Sequence, residues 1–177
     1  MKKNTDLFLD TLPKKTDLLI ADFQKHLQPF LKNFYLSGGT ALSLQIGHRE
    51  SEDLDFFSEK DFDPILIEQE LRKIGDLEQT ELDKITLNTY LEEVKLQFLG
   101  YPYRLLEPLH DWHGIQISSV IDIACTKLQT VGMRGSKKDF VDIYFILQQF
   151  TLQELLRAVE KKYAAVDYNI THGSRVL

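Results

Sequence analysis

The chain has 177 residues, of which 43% are apolar, so it is long and apolar enough for one folded domain with a hydrophobic core. Its formal charge of −6 excludes a uniformly basic nucleic-acid-binding surface, so any nucleic acid would have to contact a local basic patch. A single cysteine excludes an intramolecular disulfide, and from this cysteine usage we expect a cytoplasmic protein. No apolar run reaches the length of a membrane span, so we expect no membrane contact.

Helices and short strands are predicted to alternate in the first part of the chain. Apolar periodicity predicts the helices, short apolar runs next to glycine predict the strands, and an aspartate followed by a proline is typical of a helix start. In chain order, the predicted elements are a helix at 16–31 with Pro29 in its last turn, a strand at 34–36, a helix at 40–46, a strand at 54–57 and a helix at 63–74.

A hairpin and then helices are predicted in the second part. The elements are strands at 84–91 and 94–99, a short strand at 115–117, a helix after each of the capping serines Ser119 and Ser136, and a last helix near Thr151. This order predicts an α/β or α+β fold with a small mixed β-sheet flanked by helices. We expect a core at 1–105 and a helical C-terminal part at 106–177 that packs on it.

Two aspartates, Asp53 and Asp55, flank the start of the strand at 54–57. Alternate strand residues point to the same face, so these carboxylates lie side by side and repel each other. A divalent cation would relieve that repulsion, and Mg²⁺ prefers such oxygen ligands. The alternative is an edge strand with two solvated acids.

A glycine pair, Gly38 and Gly39, lies between a strand and a helix and is followed by Thr40. Glycines let a ligand approach the backbone, and a helix N-terminus attracts phosphate, so this turn is a candidate phosphate cradle. A plain strand-to-helix turn is the alternative. Arg49, shortly before the aspartates, is a further candidate for a nucleotide phosphate, with an ordinary surface arginine as the alternative.

Two charged residues interrupt the apolar faces of the later helices. Lys127 lies between Ile123 and Val131, and Asp142 lies in the sequence KKDFVDIYFIL. A charge on an apolar face needs a partner or a path to water. We expect Lys127 and Asp142 to meet at the edge of the metal site, where the lysine would hold nucleotide phosphates. The alternatives are that Lys127 extends to solvent and that Asp142 pairs with Arg134 or caps a helix.

The combination of these motifs resembles the nucleotidyltransferase superfamily related to polymerase β. Within it, the segments GGTAL and HRESEDLDFF resemble the AbiEii/AbiGii-type nucleotidyltransferase toxins of bacterial type IV toxin–antitoxin and abortive-infection systems. A second block, DIACTKL followed by RGSKKDFVDIY, resembles the family pattern as well. The likeness covers most of residues 34–147.

The resemblance implies a nucleotidyltransferase fold and Mg²⁺-dependent transfer of a nucleotidyl group from an NTP. It implies an RNA acceptor such as the 3′ end of a tRNA, and a cognate antitoxin as partner. Lys127 and Asp142 match positions treated as active-site residues in relatives. The resulting catalytic set is Asp53, Asp55, Lys127 and Asp142, with metal ligands Asp53 and Asp55 and phosphate-binding residues Gly38, Gly39, Thr40, Arg49 and Lys127.

Two departures from the family pattern keep other hypotheses open. Many nucleotidyltransferases carry a third acid on a later strand, where this chain has Gln97, and many relatives continue further past the last helix, which in this chain could mean a smaller acceptor-binding surface. The alternatives are a binding or interaction module that has lost transfer activity, and an enzyme that modifies a protein side chain.

Overall fold

A computed structural model of the chain describes residues 7–26 and 29–164. The helices are α1 (Lys14–His26), α2 (Gly38–Ile46), α3 (Pro64–Arg72), α4 (Val120–Arg134), α5 (Lys137–Ile146) and α6 (Leu152–Tyr163), with short 3₁₀ helices at Leu9–Thr11 and Pro29–Asn33. The strands are β1 (Tyr35–Ser37), β2 (Leu54–Ser58), β3 (Leu77–Asp83), β4 (Thr86–Leu91), β5 (Val94–Gly100), β6 (His110–Trp112) and β7 (Ile115–Ile117).

The strands form one mixed sheet in the order β3-β4-β5-β2-β1-β7-β6. The central strand β2 pairs antiparallel with β1 and parallel with β5, and β1 pairs parallel with β7. The predicted hairpin is confirmed as β4 and β5, with Glu92 and Glu93 in the left-handed backbone conformation of its two-residue turn. The predicted α/β class with a small mixed sheet is therefore confirmed.

The sheet separates two clusters of buried side chains because its strands alternate. On one face of β2 and β5, Phe56 stacks on Phe98 at 5.1 Å between ring centroids, and α1 covers them with Phe23. Burying an aromatic side chain of this size contributes about 2–3 kcal/mol. On the other face, Phe57 packs against Tyr101 and the C-terminal helices. Asp55 shares that second face but lies beyond this cluster, at the start of β2 and next to the first residue of α2.

The predicted helix starts are confirmed by their caps. The carboxylate of Asp63 accepts a hydrogen bond from the backbone N–H of Ile65, and Pro64 is the first residue of α3. Ser136 and Asp139 form a complete capping box at α5. These hydrogen bonds satisfy backbone N–H groups that the first turn of a helix leaves without partners. They join residues two or three positions apart, so the sequence alone identifies the helix starts.

Four predicted details were wrong. α1 ends at His26, and a separate 3₁₀ helix starts at Pro29, which has no N–H to continue an α-helix. α2 starts two residues earlier than predicted, at Gly38. Strand β3 was missed because it is a polar, mostly exposed edge strand without apolar alternation, and β6 was missed because its sequence, HDW, contains no apolar run and no buried residue.

The predicted division at residue 105 separates strands that share one sheet. β6 and β7 extend the sheet through β1, so the part after residue 105 is not purely helical. The ends of the two predicted parts, residues 1–6 and 165–177, lie outside the described residues. Among the helices described, none is both long enough and apolar enough to cross a lipid bilayer.

A buried ion pair attaches α6 to α4. Lys162 donates to Asp122 at 2.6 Å, and both side chains are at most 2% exposed. Asp122 also accepts hydrogen bonds from the backbone N–H groups of Leu106 and Glu107. A buried carboxylate with several donors is satisfied, so this pair fixes the segment before β6 as well as α6.

Candidate active site

The turn from β1 to α2 brings the glycine pair against the strand aspartates. Ser37 pairs with Asp55 in register, and the next residue, Gly38, has a left-handed φ of 67°. A Cβ atom at Gly38 would lie 2.1 Å from Oδ2 of Asp55, and one at Gly39 would lie 2.6 Å from Nη2 of Arg49. Gly38 therefore adopts a left-handed conformation that other residues rarely adopt, and a side chain at either position would displace one of these charged groups.

Thr40 attaches the start of α2 to the segment before β2. Its buried hydroxyl donates to the backbone carbonyl of Asp53 at 2.5 Å and lies 2.9 Å from the hydroxyl of Ser51. The hydroxyl of Thr40 therefore already has its hydrogen-bond partners within the protein. A contact between this residue and a phosphate would go through its backbone N–H, which lies in the first turn of the helix.

Asp53 and Asp55 lie at the start of β2 and are both partly buried. Burial and, after it, the neighbouring charge of Asp53 raise the pKa of Asp55 to about 6, against the opposing charges of Lys127 and Lys95. Among the described residues, no donor hydrogen-bonds either carboxylate. Two neighbouring carboxylates without hydrogen-bond donors favour a bound cation.

The carboxylate of Asp142 on α5 is fully buried and is the centre of an ion cluster. Arg49 contacts it with two nitrogens, Nε at 2.7 Å and Nη2 at 3.0 Å, and Lys127 Nζ lies 2.7 Å from Oδ2. Burial alone would raise the pKa of Asp142, but hydrogen bonds from His48 and Arg49 and the charge of Lys127 hold it well below its usual range. Asp142 therefore stays ionised and fixes the cations around it.

Lys127 meets Asp142 across α4 and α5, as expected from the apolar face on which each lies. Its ammonium group also donates to Asp139 at 2.8 Å, and 13% of its side chain is exposed. Burial lowers the pKa of Lys127, but the charge of Asp142 and hydrogen bonds to both aspartates outweigh burial and raise it. Lys127 is thus a permanently charged group with one side open.

His48 is a site residue that the sequence did not reveal. Its side chain is fully buried, and Nε2 donates to Oδ1 of Asp142 at 2.7 Å. The ring packs against Phe145 in a tilted arrangement, with 5.4 Å between the ring centroids, and its other nitrogen, Nδ1, has no hydrogen-bond partner among the described residues. One sequence feature could have identified His48, namely its position directly before the candidate residue Arg49. Adjacent residues of one loop can bind the same buried carboxylate.

These contacts join the predicted residues into one site. Asp55 lies against Gly38, Gly39 lies against Arg49, and Arg49 is bound to Asp142. Arg49 is not an ordinary surface arginine, because only 17% of its side chain is exposed. Asp142 is paired with His48, Arg49 and Lys127, whereas the side chain of the other partner considered, Arg134, lies outside the described part.

We expect Gly38→Ala to impair this site. The substitution forces a Cβ atom against the Asp55 carboxylate in a left-handed backbone conformation, so the free energy of unfolding should fall by about 1–3 kcal/mol. Gly132→Ala in α4 is the matched control. Its Cβ meets no atom within 4 Å, and alanine favours a helix, so stability should rise by up to about 1 kcal/mol. Urea unfolding of the three proteins measures both changes.

The raised pKa of Asp55 predicts a pH dependence of stability. The folded state binds this proton more tightly than the unfolded chain, so the free energy of unfolding falls as the pH rises from about 4 to about 6. Without divalent cations at pH 7.5, Asp55→Asn should therefore stabilise the protein, by at most about 3 kcal/mol. The gain over wild type should vanish below pH 4. A stability gain of Asp55→Asn that is the same at every pH would contradict the raised pKa of Asp55.

The residues present fit one magnesium ion. The described residues hold no group of three or more side chains that could enclose a metal ion. Mg²⁺ does not need one, because it is usually bound by one or two carboxylates, substrate phosphates and water. Asp53 and Asp55 supply such a pair beside the helix N-terminus.

The fold and the family assignment define the chain as a nucleotidyltransferase. The structure is similar to JHP933 from Helicobacter pylori (TM-score 0.53, 18% identity, 87% of this chain and 81% of that one). It is also similar to MenT4, a nucleotidyltransferase toxin from Mycobacterium tuberculosis (TM-score 0.53, 17% identity, 91% of this chain and 68% of that one). At these identities the likeness shows the fold.

The family follows from the sequence match. The model of the nucleotidyl transferase AbiEii toxins of type IV toxin–antitoxin systems matches residues 23–175, so the chain belongs to this family. An uncharacterized protein of Aquifex aeolicus (strain VF5) is 41% identical over 150 residues, which are 81% of this chain and 73% of that protein. The resemblance seen in the motifs is thereby confirmed, and with it the expectation of an enzyme.

Proposed function

We propose that this nucleotidyltransferase uses Mg²⁺ to move a nucleoside monophosphate from an NTP to the 3′ end of an RNA, with tRNA as the first candidate acceptor. The terminal hydroxyl oxygen would bond to the α-phosphorus, the bond from that phosphorus to the β-phosphate would break, pyrophosphate would leave, and the hydroxyl proton would pass to water. Both substrates are cytoplasmic, so the cytoplasm is the proposed place of action. As a toxin of its system, the protein would be controlled by a cognate antitoxin. The observation that carries the proposal is the convergence of the glycine turn, the paired aspartates and the cluster around Asp142.

The residues of the chain have separate parts in the proposed reaction. Asp53 and Asp55 would hold the cation, which when bound neutralises phosphate charge. The free N–H groups at the start of α2 would bind phosphate oxygens next to Gly38 and Gly39. Lys127 would stabilise charge on the phosphates through the side of its ammonium group that remains exposed, and Asp142 would hold Lys127 in place.

Arg49 has a more limited part in this proposal than a free phosphate-binding arginine would have. Asp142 already binds its Nε and Nη2 atoms, and Nη1 donates to the carbonyl of Glu50. Its charge still lies beside Gly39, where it would attract the triphosphate.

One observation favours the second candidate, a module that binds NTP without transfer. Gln97, and not an acid, pairs with Asp55 in register on β5, so the site offers two carboxylates. A weaker cation site would bind nucleotide and transfer it slowly.

A labelling experiment separates these functions. The protein is incubated with Mg²⁺, each α-labelled NTP, total tRNA and a protein extract, beside the Asp53→Asn/Asp55→Asn variant. Asp61→Asn, at an exposed position outside the site, is the matched control. Label on RNA that the double variant loses and the control keeps supports the proposal. NTP-dependent thermal stabilisation without label on any acceptor supports the binding module, and label on protein alone supports a protein-modifying enzyme.

A further inference from the structure

A polar row crosses the sheet at the level of Asp55. Gln97 pairs with Asp55 in register, and Asn88 on β4 pairs with Gln97. Residues paired in register point to the same face, so the two amides lie beside the Asp55 carboxylate. Nε2 of Gln97 donates to Oδ1 of Asn88 at 2.9 Å, which fixes both side chains.

This face of the hairpin is open. Along β4 and β5 buried residues alternate with more exposed ones, and Asn88, Tyr90 and Gln97 all belong to the partly exposed set. On the opposite face of the hairpin, Leu87 and Phe98 are buried in the core that α1 and α3 cover. Asparagine is unfavourable in the middle of a strand, so its presence on this open face favours a role other than packing.

The amide pair retains hydrogen-bonding groups for a ligand. With one N–H of Gln97 used, its carbonyl oxygen and the NH₂ group of Asn88 have no partner among the described residues. An acceptor and a donor side by side match a vicinal diol, in which each hydroxyl both donates and accepts.

A lysine and a tyrosine lie next to the amide pair on the same open face of β4 and β5. Lys95 pairs with Tyr90 in register two residues before Gln97, and its ammonium charge is close enough to lower the pKa of Asp55. The ring of Tyr90 is partly exposed and Lys95 is exposed. A ring can stack on a base and a lysine can bind a phosphate, which are the two general contacts of single-stranded nucleic acids.

The position of this surface distinguishes the two substrates. The phosphate-binding groups of the proposed function, around Gly38 and Lys127, lie on the β1 and α2 side of Asp55. In phosphoryl transfer the attacking oxygen and the leaving group lie roughly in line on opposite sides of the phosphorus. Asp55 pairs with Ser37 on the side of the glycine turn and with Gln97 on the other side, so in-line geometry favours an attacking hydroxyl on the side of Gln97.

We propose that Asn88, Tyr90, Lys95 and Gln97 form the acceptor subsite and bind the terminal ribose of an RNA, with the amide pair on its hydroxyl groups. This inference rests on the proposed function. It makes Gln97 a group that positions the attacking hydroxyl, since an amide cannot remove its proton.

The test compares the Michaelis constants of the two substrates, with total tRNA and the preferred NTP as probes. We expect Gln97→Ala, Asn88→Ala and Lys95→Ala each to raise KM for tRNA about tenfold while KM for the NTP stays within about twofold. Lys84→Ala, in the β3–β4 turn of the same hairpin region, should leave both constants unchanged. Thermal midpoints within the range of the control show that the variants are folded.

A swap variant tests the amide pair itself. Asn88→Gln/Gln97→Asn keeps one long and one short amide in register and should recover most of the affinity for tRNA that the single variants lose. A rise in KM for the NTP, or no change in KM for tRNA, overturns the inference. Wild-type label on protein alone overturns the ribose ligand while nucleotidyl transfer stands, and no label on any acceptor overturns the inference together with the proposed function.

Discussion

Asp142→Ala is expected to lower the free energy of unfolding by about 3–5 kcal/mol and to abolish nucleotidyl transfer. The substitution leaves the buried charges of Arg49 and Lys127 without their shared carboxylate. Chemical denaturation at pH 7 measures the first effect, and initial rates measured well below the melting temperature measure the second. Asp61→Ala, an exposed aspartate outside the site, should change neither.

The effect of Asp142 on stability should depend on pH. Its folded-state pKa is lowered, so its contribution is present above the ordinary aspartate value near pH 4 and is lost as the pH falls below it. The stability difference between wild type and Asp142→Ala should therefore shrink on acidification from pH 5 to pH 3. A difference that is constant over this range would show that the loss arises from packing and not from charge.

Lys127→Met is expected to reduce transfer about 100- to 1000-fold with a small loss of stability, about 1–2 kcal/mol. Methionine keeps the apolar stem packed, and Asp142 keeps its contacts with His48 and Arg49. The rate loss follows because no other group replaces the exposed side of the ammonium ion. Lys127→Arg should recover stability but little activity, because a planar guanidinium does not present the same point charge.

The second buried lysine of the fold provides the matched control. Lys162 pairs with Asp122 between α4 and α6, away from the paired aspartates. Lys162→Met should cost about 3–5 kcal/mol in stability, because the buried carboxylate of Asp122 then keeps neutral hydrogen-bond donors but loses the cation that balances its charge. The rate per folded molecule should stay near that of wild type. Equal rate losses in the two lysine variants would contradict a catalytic part for Lys127.

Local signals in the sequence predicted much of the site. The glycine pair, the Asp53 and Asp55 strand and the helix caps depend on residues a few positions apart, whose geometry is determined by the backbone. The contact between Lys127 and Asp142 was predictable for a different reason. Each charge lies on an apolar face, and a buried charge needs an opposite one.

The parts that the sequence did not reveal depend on long-range contacts. His48 and Arg49 reach Asp142 across more than 90 positions of the chain, and nothing in their loop specifies that partner. Strand β3 has no apolar alternation because it is an edge strand, so only its pairing with β4 identifies it. The amide pair of Asn88 and Gln97 likewise depends on register, which the hairpin turn sets.

The central claim is that the glycine turn, the paired aspartates and the Lys127–Asp142 cluster form one nucleotide site. The most direct measurement is a crystal structure of the protein with Mg²⁺ and a non-hydrolysable NTP analogue. The account predicts that Asp53 and Asp55 contact the cation and that the triphosphate lies between the start of α2 and the ammonium group of Lys127. A triphosphate bound elsewhere on the protein, or a cation that touches neither aspartate, would contradict it.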